Sequence, residues 1–271
     1  MFKDFIINSN KKISLKDFSL TNTNNLEKKD IQEKYLELQA RFVELQEVFN
    51  ASKKFSLLIV LQGMDCSGKD GTVKKALAGV NPNGFVVQSF KQPTPEELEH
   101  DYLWRAHKAT PLKGGITVFN RSYYEDVLVT RVHKMIDDQT ALTRFKQISE
   151  FEKYLVSNGT IVLKFFLHIS KEFQEKKLLS RLETPDKHWK FSMADLAERK
   201  FWDKYQKCYA DVLSNCSTEQ APWYVIPADH RWFRDYIILQ RIVTTLEGLK
   251  LEYPEINGTI AQLIKEVRES N

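Results

Sequence analysis

The stretch VLQGMDCSGKDGTVKKAL, residues 60–77, decides the fold that we predict for this chain. An apolar run ends at Gly63, and the spacing to Gly68 and Lys69 fits the pattern G-x-x-x-x-G-K. A strand that turns through glycines into a helix points backbone N–H groups and the positive helix end at one place, where phosphate can bind. The stretch therefore predicts a phosphate-binding loop (P-loop) between a buried strand and a helix.

Two carboxylates stand in or beside a loop that should attract anions. Asp65 lies inside the loop, and Asp70 takes the place at which a P-loop usually has Ser or Thr. Magnesium binds through oxygen and usually takes one or two carboxylates besides the substrate phosphates, so Asp65 is either a metal ligand or a local turn residue. Asp70 is a candidate phosphate-site residue, although an acid in the first helical turn also stabilises the helix itself. Gly71 and Thr72 complete the predicted phosphate-binding set, in which we expect the Lys69 side chain to be exposed.

The stretch GGITVFNRSYYEDVLVTRVH, residues 114–133, predicts a second part of the site. A short apolar strand precedes Arg121, which can neutralise charge on a transferring phosphoryl group or form a surface ion pair. P-loop enzymes usually end this strand with an acid for magnesium, but here the residue is Asn120. Glu125 and Asp126 come within the next turn or two, and they either replace that acid or form a solvated helix start.

The composition fits one sizeable α/β domain. The chain has 271 residues, 42% of them hydrophobic, and a net charge of only +4 from 40 basic and 36 acidic residues. This weakly basic balance does not require a nucleic-acid partner. The three cysteines are odd in number and lack metal-ligand spacing, and no run approaches the roughly 20 apolar residues of a membrane span. We therefore expect a cytoplasmic protein that binds neither nucleic acid nor membrane.

Strand and helix patterns alternate along the chain, which predicts right-handed crossovers and a five-stranded parallel sheet. The predicted strands are 56–62, 85–90, 116–119, 160–169 and 223–227. The predicted helices outside the charged segment described below are 26–50, 70–78, 95–108, 122–132, 140–157, 231–249 and 256–269. Residues 1–24 are polar and are expected to form an extended arm, and residues 25–271 a single domain.

The first helix carries a long apolar stripe whose residues are spaced by three and four. Residues at such spacing lie on one face of a helix. That face either packs on its own domain or forms a subunit contact, which would make the protein a homo-oligomer, a dimer or a tetramer. The residues of the stripe are Ile31, Tyr35, Leu38, Phe42, Leu45 and Phe49.

Residues 171–215, between the fourth and fifth strands, are highly charged and helical in pattern. The pattern breaks at Thr184-Pro185. In phosphoryl-transfer folds an inserted basic helical pair at this place is often a lid that closes over phosphates, although the segment is also consistent with an ordinary helical hairpin.

Taken together, these stretches resemble polyphosphate kinase family 2 from about residue 30 to residue 250. The resemblance rests on the Asp inside the loop, on the G-K-D-G ending, and on the sequences GMDCSGKDGT, GVNPNGFVVQSFKQPTPEEL, HDYLWRAH, FNRSYYEDVLVTRVH, HWKFSMADLAERKFWDKY and APWYVIPADHRW. It implies a fold similar to thymidylate kinase, a three-layer α/β/α sandwich of P-loop kinase type with an inserted helical lid. It also implies phosphoryl transfer between inorganic polyphosphate and nucleotides, with Mg²⁺ or Mn²⁺ as cofactor.

The resemblance assigns roles to individual residues. Asp65 matches the loop acid that serves magnesium, Lys69 the phosphate-binding lysine, and Arg121 an essential arginine at the strand tip. Arg131 matches a phosphate-facing arginine. Three residues fall at basic lid positions: Arg181, Lys187 and Lys190.

The acceptor nucleotide is less sharply defined by the resemblance. Many members read Asp-Arg-Ser-Trp-Tyr-Asn-Arg at the strand tip, whereas this chain has Asn120 at the first position and Glu125-Asp126 at the last two. That version resembles the subgroup that handles nucleoside mono- and diphosphates, so the implied substrates are ADP, GDP, ATP and GTP, with AMP as a further acceptor. Glu125 is a second candidate metal ligand in this scheme. Trp104 and Arg105 are candidates for the nucleotide pocket, or else a buried Trp beside a surface Arg. The alternative enzyme is an ATP-dependent nucleoside or nucleotide kinase of the same fold.

Overall fold

Five parallel strands form the central sheet, as the sequence pattern predicts. The computed structural model describes residues 2–7, 12–255 and 259–270. The strands run in the order β2-β3-β1-β4-β5. They are β1 (Ser56–Gln62), β2 (Phe85–Ser89), β3 (Ile116–Asn120), β4 (Thr160–His168) and β5 (Trp223–Pro227). β1 is buried along its whole length and lies between β3 and β4. In such open sheets ligands bind beyond the carboxyl ends of the strands, where the strand order reverses.

Eleven α-helices are present in the described residues. They are α1 (Lys28–Ser52), α2 (Lys69–Ala76), α3 (Pro95–Leu98), α4 (Trp104–Lys108), α5 (Val129–Val132), α6 (Asp138–Ser157), α7 (Lys171–Glu183), α8 (Met193–Arg199), α9 (Trp202–Asn215), α10 (Arg231–Gly248) and α11 (Ile260–Glu269). Helices α1, α2 and α10 pack together, and α5, α6 and α9 form a second group. The two groups and the sheet make up the predicted three-layer sandwich. None of the described helices is both long enough and apolar enough to cross a bilayer.

The structure differs from the predicted elements in two places. The expected helix 95–108 is two short helices, because the Asp101 carboxylate accepts from the N–H of Leu103 and starts a separate turn. The expected helix 122–132 is a 3₁₀ turn, Tyr123–Val127, followed by α5. The start of the expected last helix, residues 256–258, lies outside the described residues.

The first residues of the chain pack against the edge of β5. Ile6 forms an antiparallel bridge with Tyr224, and the N–H of Ile7 donates to the carbonyl of Trp223 at 2.9 Å. Phe5 and Ile7 are buried in the same core as the sheet. The described part of the segment expected as an arm therefore covers an edge strand that would otherwise present unpaired backbone groups.

The stripe of α1 faces its own domain. Ile31, Phe42 and Phe49 are buried, and Tyr35 packs against the same core. α1 lies along α10. The stripe is thus used within the chain, and a homo-oligomer has to be argued from another surface.

A buried network of charged and hydroxyl groups joins β4 to α6. The Lys164 ammonium lies 2.5 Å from the Glu152 carboxylate, and both side chains are fully buried. Tyr123 and Tyr124 donate to the other oxygen of Glu152 at 2.8 and 2.7 Å. The carbonyl of Cys216 accepts from Lys164 at 2.6 Å. Each charge is therefore paired and hydrogen-bonded, which is the condition under which burial of ions is tolerated.

Removing one partner of this network should destabilise the fold strongly. We expect Glu152→Ala to lower the free energy of unfolding by about 3–5 kcal/mol, because it leaves the Lys164 charge buried and unpaired. Urea unfolding at neutral pH measures this loss. Lys153→Ala, at the adjacent exposed position, is the control and should stay within about 0.5 kcal/mol. A loss for Glu152→Ala as small as that of the control would contradict the expectation.

The last residue of β4 should make stability depend on pH. Burial lowers the pKa of His168 to about 4, with the Leu15 backbone and Asp229 acting in the opposite sense. The unfolded state, with a pKa near 6.5, therefore binds more protons at mildly acidic pH, and stability is full above that value and falls as pH drops. We expect wild-type protein to lose about 1.5 kcal/mol more than His168→Asn between pH 6.5 and about pH 5. Parallel curves of unfolding free energy against pH would show that His168 titrates normally.

Candidate active site

The P-loop connects the carboxyl end of β1 to α2 through two glycines in unusual backbone conformations. Gly63 has φ +152° and Gly68 has φ +96°. A Cβ atom at Gly63 would meet the carbonyl oxygen of Leu167 at 2.7 Å, and one at Gly68 would overlap the guanidinium of Arg234. Both positions thus require glycine for φ and for space, which is the geometry that brings backbone N–H groups close to an anion.

Lys69 is buried, contrary to the expectation of an exposed loop lysine. Its ammonium lies across the loop and donates to the carbonyls of Gly63 and Met64 at 2.7 and 3.2 Å. Burial lowers the pKa of Lys69 and the charge of Arg121 lowers it further, whereas Asp65 acts in the opposite sense. The loop therefore holds this charge in place by its own carbonyl oxygens.

Arg121 lies beside the P-loop because β3 is the neighbour of β1. The N–H of Arg121 donates to the carbonyl of Leu61, and its guanidinium pairs with the Asp65 carboxylate at 2.6 Å. The residue has φ +60°, a left-handed conformation that is uncommon for a residue other than glycine and recurs at functional sites. Two residues named from separate stretches of the sequence are thus in direct contact.

Glu125 faces the same charges. Burial raises the pKa of its carboxyl, and Arg121 and Lys69 oppose this rise. Burial also disfavours the charge of Arg121, but Glu125 and Asp65 more than compensate, so the pKa of the guanidinium is raised. Asp65, Lys69, Arg121 and Glu125 therefore form one electrostatic cluster at the carboxyl ends of β1 and β3.

Two further polar contacts connect the strand tip and α2. The amide of Asn120 donates to Asp70 at 2.6 Å, so Asp70 lies at the mouth of the loop with a partner from β3. The hydroxyl of Thr72 is buried and donates to Asp235 of α10 at 3.2 Å, which directs it toward that helix. Gly71 lies on the same helix, half-buried beside Arg234.

Asp126 lies next to Glu125 in sequence but has different partners. Its carboxylate is 3.5 Å from the guanidinium of Arg105, which also reaches Glu97 at 3.5 Å and the carbonyl of Lys91 at 2.9 Å. Arg105 is itself buried. The pair connects α4 to the turn after β3, and the contacts described here for it do not involve the P-loop.

Trp104 lines a groove together with His107 and Phe151. Its ring stacks on His100 with centroids 3.9 Å apart, and the ammonium of Lys108 lies 4.0 Å from its centroid. Arg131, on α5, pairs with Asp138 at 2.7 Å and with Asp211 at 3.0 Å. Trp104 thus contacts two neighbouring side chains, and Arg131 is paired with two carboxylates.

The segment expected to be a lid reaches the loop through α7 and α8. Arg181 pairs with Asp195 at 2.7 Å and donates to the carbonyl of Lys190. Burial and the negative charge of Asp65 raise the pKa of Asp195, so this carboxylate lies within electrostatic range of the loop acid. Lys187 contacts Ser180 and Thr184. The Lys190 ammonium lies over the Trp189 ring at 4.9 Å.

Residues that the sequence reasoning missed also hold the loop. Gln174 of α7 donates to the backbone carbonyl of Asp65 at 3.0 Å. Arg234 of α10 donates to the carbonyl of Ser67 at 2.9 Å and is paired with Asp235. Two charged residues within the apolar run WFRDYII are the signal that could have identified this buried pair.

Comparison with known proteins agrees with this geometry. A family model described as Polyphosphate kinase 2 (PPK2) matches residues 25–254. The chain is 45% identical over 255 residues to the AMP/ADP-polyphosphate phosphotransferase of Meiothermus ruber, an alignment that covers 93% of this chain and 96% of that protein. It is 42% identical over 241 residues to the ADP-polyphosphate phosphotransferase of Rhodopseudomonas palustris, with 84% and 83% covered.

A solved structure of a member of this family has the same fold as this chain. The crystal structure of Polyphosphate Kinase 2 from Arthrobacter aurescens matches with a TM-score of 0.91 at 39% identity, covering 95% of this chain and 93% of that one. The family match, the relatives and the shared fold confirm the resemblance seen in the sequence. The chain belongs to the polyphosphate kinase 2 family.

Proposed function

We propose that this protein transfers phosphoryl groups between inorganic polyphosphate and purine nucleotides, making ATP and GTP from ADP and GDP. The observation that carries the proposal is the ion pair between Arg121 at the strand tip and Asp65 inside the P-loop, beside the buried Lys69. An acid within the loop distinguishes this cradle from that of ordinary P-loop kinases. The names of the two relatives described above both include polyphosphate.

Positioning and charge neutralisation are the tasks that the site residues perform in this proposal. A phosphate chain lies on the N–H groups of the loop, and Lys69 exchanges the carbonyls of Gly63 and Met64 for phosphate oxygens. Arg121 neutralises charge on the phosphoryl group in flight. The terminal phosphate of ADP is already ionised, so the acceptor needs no strong base.

The loop residues fit a divalent cation that takes most of its ligands from the substrate. Asp65 is partly exposed and uses one oxygen for Arg121, which leaves the other for a metal. Among the described residues, no group of three or more His, Cys, Asp or Glu is arranged to hold a metal on its own. Mg²⁺ usually needs only one or two carboxylates besides phosphate, so Asp65 and Glu125 would hold it, or Mn²⁺ in its place. When bound, the cation neutralises phosphate charge.

The lid and the outer residues belong to the same proposal. Arg181, Lys187 and Lys190 would follow the phosphate chain as the lid closes, and Arg181 would exchange Asp195 for phosphate. Arg131 as a further phosphate contact stays a prediction, and so do Trp104 and Arg105 as parts of the nucleotide pocket. So do a cytoplasmic location, a homo-oligomer and the lack of a nucleic-acid partner.

One assay separates this proposal from the alternative of an ATP-dependent kinase. Purified protein is supplied with ADP, long-chain polyphosphate and Mg²⁺ in the absence of ATP, and ATP formation is followed. The proposal requires ATP to form only when polyphosphate is present, so the same mixture without polyphosphate is the control. An ATP-dependent nucleoside or nucleotide kinase would form no more ATP with polyphosphate than without it, and would instead phosphorylate a nucleoside or nucleoside monophosphate with ATP as donor.

Lys69 should be indispensable for transfer. Lys69→Met retains the buried stem but removes the charge, and we expect kcat with polyphosphate to fall by roughly 10²–10³-fold or more. Lys74→Ala, an exposed residue of the same helix, is the control and should retain wild-type turnover. Near-wild-type turnover of the Lys69 variant, with melting temperatures unchanged in both proteins, would remove the P-loop from the mechanism.

Glu125 should affect acceptor choice. AMP brings fewer phosphate oxygens to a metal than ADP does, so it should depend more on protein carboxylates. We expect wild-type protein to use both acceptors, ADP faster, and Glu125→Gln to lower kcat/KM for AMP by about tenfold more than for ADP.

The neighbouring carboxylate provides a matched control for this experiment. Asp126 contacts Arg105 and not the loop cluster, so Asp126→Asn should affect both acceptors alike. A wild-type protein without activity on AMP, or a Glu125 variant with equal losses, would show that Glu125 does not discriminate between acceptors.

A further inference from the structure

The guanidinium of Arg234 lies against the turn of the P-loop. Its Nη1 donates to the carbonyl of Ser67 at 2.9 Å, and the side chain is 2% exposed. The same nitrogen occupies the space in which Gly68 would carry a Cβ, and Nη2 lies 3.5 Å from the corresponding place at Gly71. Arg234 therefore fits against the loop and the first turn of α2 at three points, Ser67, Gly68 and Gly71.

Asp235 fixes the orientation of that guanidinium. One carboxylate oxygen accepts from Nε and Nη2 of Arg234 at 2.9 and 2.7 Å, and also from the hydroxyl of Thr72 at 3.2 Å. The other oxygen lies 3.5 Å from the ammonium of Lys75. Residues of α10 and α2 together thus fix the plane of the guanidinium. Its remaining nitrogen, Nη1, is left to donate toward Ser67.

The bond to Ser67 determines which way the next N–H points. In a trans peptide the C=O and the N–H project in opposite directions, and the described chain contains no cis peptide. Because the Ser67 carbonyl points at Arg234, the N–H of Gly68 points away from it. Within the described part of the chain, no hydrogen bond has this N–H as donor. It is a free donor at the start of α2, where an anion is favoured by the helix dipole.

We propose that Arg234 is a positioning residue, which turns the Ser67–Gly68 peptide so that the Gly68 N–H is presented to a phosphate oxygen of the substrate. The contact depends on the shape of the guanidinium fork and not on its charge alone, since that charge is already paired with Asp235. The proposal rests on the proposed function only in taking a phosphate chain as the ligand of the loop.

A single amide reports the proposed effect. Ser67–Gly68 is the one Ser-Gly dipeptide in the sequence. Protein labelled with ¹³C-carbonyl serine and ¹⁵N-glycine therefore yields the Gly68 amide alone in a carbonyl-selected NMR spectrum. Tripolyphosphate is titrated into this sample, and the dissociation constant is taken from the shift of that signal.

The variants separate orientation from charge and from stability. In Arg234→Gln we expect the shift of the Gly68 amide to be reduced and the dissociation constant to rise roughly 10- to 100-fold, the value of one hydrogen bond to a charged group. Arg234→Lys retains the charge without the fork and should be impaired in the same way. Leu246→Ala is the control for stability, because it removes a buried side chain of the same helix about 18 Å further along. It should bind tripolyphosphate like wild type.

Kinetic constants provide a second measurement. A residue that only stabilised the fold would not change the KM of one substrate more than that of the other. For both Arg234 variants we expect the KM for polyphosphate to rise more than the KM for ADP, at a temperature where circular dichroism shows every protein folded. If Arg234→Gln does not fold, Asp235→Asn takes its place. This substitution keeps the shape of the side chain at position 235 but weakens its hydrogen bonds to the Arg234 guanidinium. We expect a smaller rise in the dissociation constant for this variant.

Three results would overturn the proposal. They are a wild-type Gly68 shift and affinity in folded Arg234→Gln or Asp235→Asn, wild-type behaviour of Arg234→Lys, and an equal loss in Leu246→Ala. The proposed function fails separately: wild-type protein would then bind tripolyphosphate through Gly68 but form no ATP from ADP and polyphosphate.

Discussion

The ion pair between Arg121 and Asp65 offsets the repulsion among the positive groups of the site when no phosphate is bound. Lys69, Arg121 and the N-terminus of α2 all point at one small region, and they would repel one another in the free protein. Asp65 and Glu125 lie among these cations, and the carbonyls of Gly63 and Met64 accept from Lys69. The acids therefore let the cradle fold before the substrate arrives, and each of these contacts is one that a phosphate or a metal ion can replace.

The same balance extends into the inserted segment. Arg181 is paired with Asp195, whose carboxyl is influenced by Asp65. The charge of Arg181 is in this way already paired in the free protein. Moving Arg181 away would leave the Asp195 carboxylate without its partner, so this ion pair holds α7 and α8 together in the free protein.

The fold could be predicted from the sequence because its signals are local. Strand 56–62 is a continuous apolar run that ends in glycine, and the alternation of strands and helices follows from periodicity alone. The contact between Arg121 and Asp65 could be anticipated in part, since adjacent parallel strands bring their carboxyl ends together. The separation of Glu125 from Asp126 could not, because the partner of Asp126 is Arg105, which lies 21 residues earlier in the chain and is brought there by the packing of α4.

Other features depend on contacts that no local pattern encodes. Lys69 is buried because the loop curves so that the carbonyls of Gly63 and Met64 accept hydrogen bonds from its ammonium. Arg234 reaches Ser67 because α10 packs beside the loop, although the two bonded residues are 167 positions apart in the chain. A charged pair in an apolar helix indicates burial but does not identify the partner.

The contact between the N-terminal segment and β5 has a consequence for synthesis on the ribosome. The hydroxyl of Ser217 donates to the carbonyl of Ile7 across 210 residues, and Val225 donates to Phe5 nearby. The segment that contains Phe5 and Ile7 must therefore wait until β5, about 210 residues further along the chain, has emerged before its apolar residues are covered. Chain closure over such a distance is slow relative to local helix formation, so the sheet edge is completed last. Until then Phe5 and Ile7 stay exposed, and exposed apolar residues of this kind are what chaperones bind.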